Sequence, residues 1–373
     1  MKYYLIAGEA SGDLHASNLI AALRRKDQKA EFAFIGGDLM QKASETSPDF
    51  HYSGMNFMGL FSVLANLGRL RYIMRSTRAG IVDFQPDVLI LIDYAGFNLR
   101  MAKYAFQKGI RVFYYIPPKV WAWRKSRVKK LKKYVSKVFI IFPFERDFYR
   151  SKGVKATYVG NPLMDSIALF QKELEKEKID SRNEKTDGRP VIAFLAGSRK
   201  MEISNCLPEM IKASKHFPDY RFVVAGAPSV SKEHYEKVLD NSGVDIVYNE
   251  TYLLLSKAQA AVVTSGTATL ETALLNIPQI VIYKTGGFTF VLGRIFVRFK
   301  FFSLVNLLLD RELIKEFLQY NLAEKIRFEL DRILKDNDYR SSILQGYEDI
   351  SGLVGKPGVS DRLANEMLKL LTE

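Results

Sequence analysis

The sequence predicts an α/β protein made of two doubly wound domains, and three features of the chain lead to this prediction. Short apolar runs alternate with helical patterns from residue 3 to residue 141. A charged stretch with few apolar residues follows at roughly 171–189, where we place a partly helical connection between domains. The same alternation starts again at Val191. Because alternating strands and helices form a parallel sheet covered on both faces, two runs of them predict two such sheets.

The strands are predicted from apolar runs rich in Val, Ile and Phe, and Leu14–Leu23 carries a helical pattern. In the first half the predicted strands are Tyr3–Ala7, Glu31–Ile35, Val88–Ile92, Val112–Ile116 and Val138–Ile141. In the second half they are Val191–Leu195, Arg221–Ala225, Ile246–Tyr248, Ala260–Val263 and Gln279–Tyr283. From about Asn321 the pattern is helical. Ligands of such sheets bind at the carboxyl ends of the strands, so we expect a site in a cleft between the domains.

The composition is that of an ordinary globular protein, with 47% hydrophobic and 26% charged residues among 373. The single cysteine, Cys206, cannot form an intramolecular disulfide, and no Cys/His spacing resembles a zinc site, which favours a reducing cytoplasm. Neither a signal peptide nor an apolar run of about 18 residues is present, so no transmembrane helix is predicted. The net charge of +14 indicates an anionic partner, with nucleic acid, anionic lipid and phosphorylated small molecules all open.

The segment Gly8–Asp13 lies between the first predicted strand and the first predicted helix. Its two glycines allow a tight turn and a close approach to a ligand. Ser11 and Asp13 can cap the following helix, whose N–H groups attract anions. The segment lacks the full dinucleotide fingerprint, and an ordinary strand–helix turn has the same pattern. Because Glu9 is a poor neighbour for a pyrophosphate, sugar hydroxyls suit this loop better.

Two loops in the second half carry the donor groups that phosphates bind. A Gly-Ser-Arg turn at 197–199 offers backbone N–H groups, a hydroxyl and a guanidinium. The loop 264–271 places small hydroxylated residues at a helix start, and Glu271 can accept hydrogen bonds from a ribose or complete a capping box. Either loop alone is compatible with a surface turn. Together they give the candidate set Gly197, Ser198, Arg199, Ser265, Gly266, Thr267, Thr269 and Glu271.

Asp93 is the candidate acid–base residue because it directly follows the apolar run Val88–Ile92. A carboxylate at the end of a buried strand is expected to be partly buried, and burial would raise its pKa toward that of a useful base. A turn or helix-capping aspartate is the alternative.

Three segments bear on the partner. Lys119–Lys137 holds nine Lys or Arg residues and no acid, interleaved with Trp121, Trp123 and Tyr134, a pattern open to nucleic acid, anionic lipid or a phosphorylated acceptor. Met55–Met74 is apolar and then basic, and Phe288–Phe302 mixes six Phe residues with Arg and Lys. Both patterns are typical of segments that lie on a membrane surface, although core helices with a basic rim share them.

These motifs occur in an order that resembles the lipid-A-disaccharide synthase family. The shared stretches are Gly8–Asp13, Val120–Arg124, Phe142–Glu145, Val159–Leu163, Gly197–Arg199, Ser265–Glu271 and Ser303–Leu308, with Pro278 and Tyr283. They extend from about Gly8 to Glu316. The resemblance implies a GT-B fold, in which two Rossmann-like domains face a central cleft. We expect an acceptor- and membrane-binding domain at 1–165, with helices from about 345–373 packed back on it, and a UDP-sugar-binding domain at 190–344.

The resemblance also implies a reaction. A UDP-2,3-diacylglucosamine donor passes its sugar to the 6-hydroxyl of 2,3-diacylglucosamine 1-phosphate (lipid X), which gives a β-1,6-linked disaccharide 1-phosphate and UDP. The transfer inverts the anomeric centre and uses no metal and no cofactor. The family acts as a peripheral protein on the inner face of the inner membrane, and nucleic acid is not a partner. A homodimer is compatible with the sequence.

Roles for individual residues follow from the same resemblance. Asp93 matches the general base, and Glu271 matches the residue that holds the ribose. Arg199 and the 265–269 helix start can stabilise the leaving UDP. The remaining matched active-site positions are Glu9, Ser11 and Asn306. Met55–Met74 matches the membrane-facing, acyl-binding region.

The chain departs from the family pattern at three places. The family usually has Asp-x-Pro-Asp-Phe-Asn where this chain has 93–98, so Gly96 replaces the second aspartate. Pro117–Lys119 replaces Ser-Pro-Ser, and Leu195–Gly197 replaces Leu-Pro-Gly. Two other functions remain as alternatives. One is another GT-B enzyme, either a peptidoglycan-type GlcNAc transferase or a UDP-sugar epimerase, and the other is a non-catalytic membrane or nucleic-acid binder on the same scaffold.

Overall fold

The computed structural model describes residues 1–55, 67–118, 126–177, 188–284 and 300–373. The chain divides into two compact units. The first comprises Met1–Asp165 together with Val354–Glu373, and the second comprises Ser166–Leu353. Each unit contains a parallel sheet with helices on its faces, so the predicted α/β class and the doubly wound character of both halves are confirmed.

The first unit alternates strands and helices along the chain. Its strands are β1 (Lys2–Ala7), β2 (Glu31–Gly36), β3 (Phe50–His51), β4 (Val88–Ile92), β5 (Arg111–Tyr115), β6 (Lys137–Ile140) and β7 (Ala156–Tyr158). Its helices are α1 (Ala10–Lys26), α2 (Asp38–Ser44), α3 (Leu67–Phe84), α4 (Ala95–Gln107), α5 (Ser126–Tyr134) and α6 (Glu145–Ser151), with a 3-10 helix at Tyr52–Met55. Helix α7 (Leu163–Glu177) begins in this unit and continues into the second.

The sheet of the first unit has the order β3-β2-β1-β4-β5-β6-β7, with every pair parallel. Its central strands are buried on both faces, which explains why they are continuous apolar runs. In β1, Tyr3 and Leu5 enter one core with α1, while Tyr4 and Ile6 enter a second core on the opposite face. This alternation follows from the two-residue period of a strand.

The second unit repeats the pattern. Its strands are β8 (Val191–Leu195), β9 (Arg221–Gly226), β10 (Asp245–Tyr248), β11 (Ala258–Thr264), β12 (Gln279–Tyr283) and β13 (Glu316–Leu318). Its helices are α8 (Lys200–Ser214), α9 (Lys232–Leu239), α10 (Thr251–Lys257), α11 (Ala268–Leu274), α12 (Leu304–Leu309), α13 (Leu322–Lys335) and α14 (Asn337–Val354). The sheet order is β10-β9-β8-β11-β12-β13, again all parallel.

The last helix, α15 (Val359–Thr372), belongs to the first unit, where Leu363 and Met367 pack into the core beside α1. The carboxylate of Asp165 fixes its start by accepting hydrogen bonds from the backbone N–H groups of residues 358, 359 and 360 at 2.6–2.9 Å. The return to the first unit falls at Val354, whereas the sequence-based expectation was about residue 345.

The predicted strands are all present within one or two residues of their ends. Strands β3, β7 and β13 were missed because they contain only two or three residues, too few for a periodic pattern. No helix in the described ranges is both long and apolar enough to cross a membrane.

Candidate active site

Each sheet has a switch point where the strand order reverses, and in such sheets ligands bind at the carboxyl ends of the two strands there. In the first unit the switch point lies between β1 and β4, which pair with Ala7 opposite Ile92. The residues that follow those strands, Glu9 and Asp93, therefore leave neighbouring strands that are about 5 Å apart. Both are half-buried, and Ser11 is exposed in the first turn of α1.

Asp93 has a strained backbone that three hydrogen bonds hold in place. Its φ is +45°, and that of Tyr94 is +42°, a left-handed conformation that residues other than glycine seldom adopt. The Asp93 carbonyl accepts hydrogen bonds from Asn98 Nδ2 at 2.8 Å and from the Tyr114 hydroxyl at 2.6 Å. Its N–H donates to the Tyr115 carbonyl at 3.2 Å. Such strain persists only where the surroundings impose it, and it concentrates at functional sites.

Tyr94 joins the two loops of this switch point. A Cβ atom at position 8 would lie 2.3 Å from the Tyr94 ring, so only glycine fits there. The Tyr94 hydroxyl donates to the Met55 carbonyl at 2.8 Å. Burial raises the pKa of Tyr94, and the negative charge of Glu9 raises it further. Glu9 therefore acts electrostatically on the residue next to Asp93, a link that the sequence pattern did not indicate.

The sequence suggested that Asp13 caps the helix that contains it, and the structure shows that it does not. Helix α1 begins at Ala10 without a side-chain cap, so Asp13 lies within its first turn, and Ser11 does not cap it either. The buried Asp13 carboxylate instead accepts hydrogen bonds from the N–H groups of Gly37, Leu39 and Met40 at 2.7–3.2 Å. It thereby fixes the start of α2, where a negative charge is favourable.

The second switch point lies between β8 and β11 and has the Gly197–Arg199 turn on one side. Gly197 has a φ of +104°, and a Cβ atom there would lie 2.6 Å from the Glu202 carboxylate. Glu202 accepts a hydrogen bond from Ser198 N–H at 3.1 Å and pairs with the Arg199 guanidinium at 3.2 Å. Ser198 and Arg199 are exposed. The turn thus presents a cation and a hydroxyl to solvent from a fixed backbone.

The other side of this switch point is the loop that follows β11. Gly266 has a φ of +154°, and it and Thr267 are exposed. Ser265 Oγ donates to the Phe302 carbonyl at 2.8 Å. The buried Thr269 hydroxyl donates to the Gly266 carbonyl at 2.8 Å, which closes the loop.

Glu271 is oriented by a residue that the sequence analysis missed. The Tyr252 hydroxyl, on α10, donates to Glu271 Oε1 at 2.8 Å. Burial raises the pKa of the Glu271 carboxyl, and the hydrogen bond from Tyr252 partly opposes this shift. The Tyr252 ring in turn packs edge-on against Phe170. One carboxylate oxygen is therefore engaged within the unit.

Asn306 uses its side-chain amide inside the fold. Its Nδ2 donates to the Ile314 carbonyl and to Glu316 at 2.8 and 2.7 Å. Its Oδ1 accepts from the N–H groups of Leu313 and Ile314 at 2.8 and 3.1 Å. The residue is fully buried, so any part that it plays at the site passes through the loop that it holds.

Some of the sequence predictions lie outside the described residues. These are Trp121, Trp123 and Arg124, the part of Met55–Met74 at 56–66, and the part of Phe288–Phe302 at 288–299. Within the described ranges, no group of three or more His, Cys, Asp or Glu residues is placed to hold a metal ion.

Solved structures with the same architecture include enzymes bound to a UDP-sugar or to UDP. The UDP-GlcNAc 2-epimerase from Neisseria meningitidis, bound to UDP-GlcNAc, superposes with a TM-score of 0.71 at 15% identity and covers 99% of this chain and 100% of its own. A UGT transferase from Siraitia grosvenorii, in complex with UDP, has a TM-score of 0.58 at 13% identity over 100% of both chains. These likenesses show the fold, which is the GT-B type predicted from the sequence.

Sequence comparison identifies the family to which the chain belongs within that fold class. The family model described as lipid-A-disaccharide synthetase matches residues 3–348. The lipid-A-disaccharide synthases of Myxococcus xanthus and Geobacter sulfurreducens are 36% and 33% identical, over 98% of this chain and 97% and 96% of theirs. That of Coxiella burnetii is 33% identical over 91% of this chain and 90% of its own. The chain therefore belongs to the lipid-A-disaccharide synthase family and is a glycosyltransferase, as the motifs predicted.

Proposed function

We propose that the protein transfers 2,3-diacylglucosamine from its UDP donor to the 6-hydroxyl of 2,3-diacylglucosamine 1-phosphate. The products are the β-1,6-linked disaccharide 1-phosphate and UDP. The observation that carries the proposal is that two switch points of the same topology present opposite chemistry. The first offers carboxylates to sugar hydroxyls, and the second offers N–H groups, hydroxyls and a guanidinium to a diphosphate.

On the acceptor side, Asp93 serves as the general base. As the 6-hydroxyl oxygen attacks the anomeric carbon, its proton passes to the Asp93 carboxylate, and the bond between that carbon and the UDP oxygen breaks. Attack on the face opposite the leaving group inverts the anomeric centre. Support comes from the position of Asp93 at the end of β4 and from the hydrogen bonds of Asn98 and Tyr114, which hold its backbone in one conformation. Glu9 and Ser11, which follow the neighbouring strand, are assigned to sugar hydroxyls.

On the donor side, negative charge develops on the departing UDP. Arg199 and the hydroxyl and N–H groups of 197–199 and 265–269 can stabilise this charge, since charge-assisted hydrogen bonds are among the strongest that proteins form. Arg199 is exposed and held 3.2 Å from Glu202, so a diphosphate can bind it without a large movement of the backbone. The Glu271 carboxylate, whose Oε1 accepts a hydrogen bond from Tyr252, is assigned to the ribose hydroxyls.

The replacement at Gly96 is compatible with this assignment. Gly96 lies in the first turn of α4, it is exposed, and a Cβ atom there would meet nothing within 4 Å. The Asp93 backbone is held by hydrogen bonds with Asn98, Tyr114 and Tyr115. We therefore expect the base to work without a second carboxylate at this position.

We further propose that the first unit binds an anionic membrane surface as a peripheral protein on the inner face of the inner membrane. Helix α3 exposes Arg71, Arg75 and Tyr72, of which Tyr72 is 64% exposed. Helix α5 adds Lys129, Lys130, Lys132 and Lys133, all exposed. Basic residues interleaved with aromatic rings favour anionic head groups.

A vesicle assay tests the membrane proposal. We expect cosedimentation with phosphatidylglycerol vesicles, much weaker binding to phosphatidylcholine, and incomplete release at about 1 M salt, where charge attraction is screened. Complete release by salt alone would count against apolar insertion through residues 55–74 and 288–302.

The reaction is tested with defined acylated donor and acceptor, followed by mass analysis of the product. We expect a disaccharide 1-phosphate and one UDP for each transfer. Turnover of UDP-GlcNAc alone would favour an unacylated-sugar transferase or an epimerase instead. If neither UDP nor the UDP-sugar raises the melting temperature, the donor site is assigned wrongly, because a ligand that binds only the native state must stabilise it.

A further inference from the structure

The donor loop after β11 is held by a second turn, formed by residues 302–306. Ser265 Oγ donates to the Phe302 carbonyl at 2.8 Å. Leu304 N–H donates to Thr269 Oγ1 at 3.3 Å, and the same Oγ1 donates to the Gly266 carbonyl at 2.8 Å. The shape of the loop therefore depends on where the 302–306 turn lies.

That turn is fixed by one carboxylate, that of Glu316 at the start of β13. Glu316 Oε2 accepts a hydrogen bond from Phe302 N–H at 2.6 Å. Oε1 accepts from Ser303 N–H at 3.0 Å, from Ser303 Oγ at 2.6 Å and from Asn306 Nδ2 at 2.7 Å. Four donors on one carboxylate are a concentrated set of charge-assisted bonds, each stronger than its neutral equivalent.

Glu316 is itself anchored to the sheet. It pairs with Val281 in the parallel ladder between β13 and β12, and β12 pairs with β11, the strand that leads into the donor loop. A continuous path of hydrogen bonds thus runs from the sheet through Glu316 and the turn to Ser265 and Thr269. Asn306 belongs to this path, which accounts for its complete burial.

We infer that Glu316 is a positioning residue for the diphosphate of the sugar donor. In this role Glu316 does not touch the donor. It orients the Ser265–Thr269 loop by fixing the 302–306 turn, to which the loop is hydrogen-bonded. The inference rests on the proposed function, because it requires the UDP group to bind at that loop. No other part of the proposed reaction depends on Glu316, so acceptor binding at the first unit should not respond to it.

The substitution Glu316→Gln tests the inference. Glutamine keeps the shape but replaces one acceptor oxygen with an NH₂ group, which then faces an N–H or hydroxyl donor. At least one hydrogen bond is lost and a donor is left opposed to a donor. We expect the Kd for UDP to rise about 10-fold, equivalent to about 1.4 kcal/mol, while the acceptor KM stays within about 2-fold. Isothermal titration with UDP and steady-state kinetics measure the two quantities.

Glu312→Gln is the matched control. This exposed carboxylate lies four residues earlier and pairs with Lys315 at 3.0 Å, and its loss should leave UDP affinity unchanged. If the role of Glu316 is merely structural, Glu316→Gln will lower the melting temperature but leave the UDP affinity unchanged at temperatures well below the melting temperature. That result would overturn the inference, as would an equal rise in donor and acceptor KM.

A double-mutant cycle keeps the inference testable if Glu316→Gln fails to fold, with Glu316→Asp then taking its place. Ser265→Ala cuts the link between loop and turn without touching Glu316. We expect it to weaken UDP binding about 3- to 5-fold and to be less than additive with the Glu316 variant, since both act through one path. Strict additivity would contradict the inference. If the wild-type protein fails to bind UDP, the proposed donor site is refuted. If the wild-type protein binds UDP and the Glu316 variants bind it equally well, only the inference about Glu316 is refuted.

Discussion

At the β1–β4 switch point the loops carry two carboxylates, Glu9 and Asp93, and a backbone held in a left-handed conformation at residues other than glycine. At the β8–β11 switch point, glycines with positive φ take the tight turns, and hydroxyls and one guanidinium face outward. The two sheets have the same core strand order, so the two candidate sites lie at equivalent positions of their sheets. We therefore propose that the residues after the strands decide what each site binds, since carboxylates repel a diphosphate and accept hydrogen bonds from sugar hydroxyls.

The largest effect is expected from neutralising the proposed base, Asp93, at the first switch point. We expect Asp93→Asn to lower kcat by about 10³-fold, within the range that a general base supplies, while UDP affinity stays unchanged. Single-turnover kinetics and titration with UDP measure both. Asp83→Asn, an exposed substitution on α3, is the control. Near-normal turnover in Asp93→Asn would mean that another residue accepts the proton.

The first unit should also be the more sensitive of the two to acid. His15, one turn after Ser11, has a buried Nδ1 without a hydrogen-bond partner among the described residues, and burial lowers its pKa from 6.5 to about 4. Between these values the unfolded chain binds a proton that the folded chain does not, so stability falls as the pH drops from 6.5 to 4, by about 3 kcal/mol at most.

Calorimetry from pH 7 to pH 4 measures this loss. His15→Gln should flatten the pH dependence, and His216→Gln, at an exposed position in the second unit, should not. An unchanged slope in His15→Gln would show that other groups dominate the acid sensitivity.

At the second switch point, Arg199→Ala should weaken donor binding about 10- to 100-fold, which corresponds to losing a hydrogen bond between charged partners. The acceptor KM should not change. Lys200→Ala removes the neighbouring exposed cation and should have a small effect. If both substitutions weaken UDP equally, general charge attraction and not the geometry of the turn holds the diphosphate.

Two glycines, one at each switch point, should respond in opposite directions when they are replaced by alanine. Gly197→Ala should destabilise by about 1–2 kcal/mol, because φ is +104° and Glu202 leaves no space for a methyl group. Gly96→Ala should stabilise by about 0.5–1 kcal/mol, because the position is helical and open. Urea unfolding measures both. Destabilisation at Gly96 would indicate that this turn needs glycine after all.

Much of the fold could be predicted from the sequence, and the reason is burial on both faces. The bounds of Val88–Ile92, Val191–Leu195 and Gln279–Tyr283 were predicted correctly because such strands are unbroken apolar runs. The sequence analysis did not predict the strand order, and it is the pairing of β1 with β4 in the structure that brings Glu9 and Asp93 to neighbouring strand ends. The positive φ at Asp93 was not predictable, since neither Asp93 nor Tyr94 is a glycine.

The contacts that shape the site were missed for a different reason. Asp13 contacts Gly37, Tyr252 contacts Glu271, and Glu316 contacts Phe302, at sequence separations of 24, 19 and 14. No local pattern encodes such pairs. Asn306 is a further example. The motif match identified its position, but it did not indicate that the side-chain amide makes hydrogen bonds inside the fold.

Hydrogen–deuterium exchange with and without UDP tests most directly the claim that the first switch point binds the acceptor and the second binds the UDP donor. UDP should slow exchange in segments 196–199 and 265–271, where the diphosphate and ribose are assigned, and leave segments 8–13 and 93–98 unchanged. Protection at 8–13 and 93–98 without protection at 196–199 and 265–271 would place the donor at the first switch point and contradict the account.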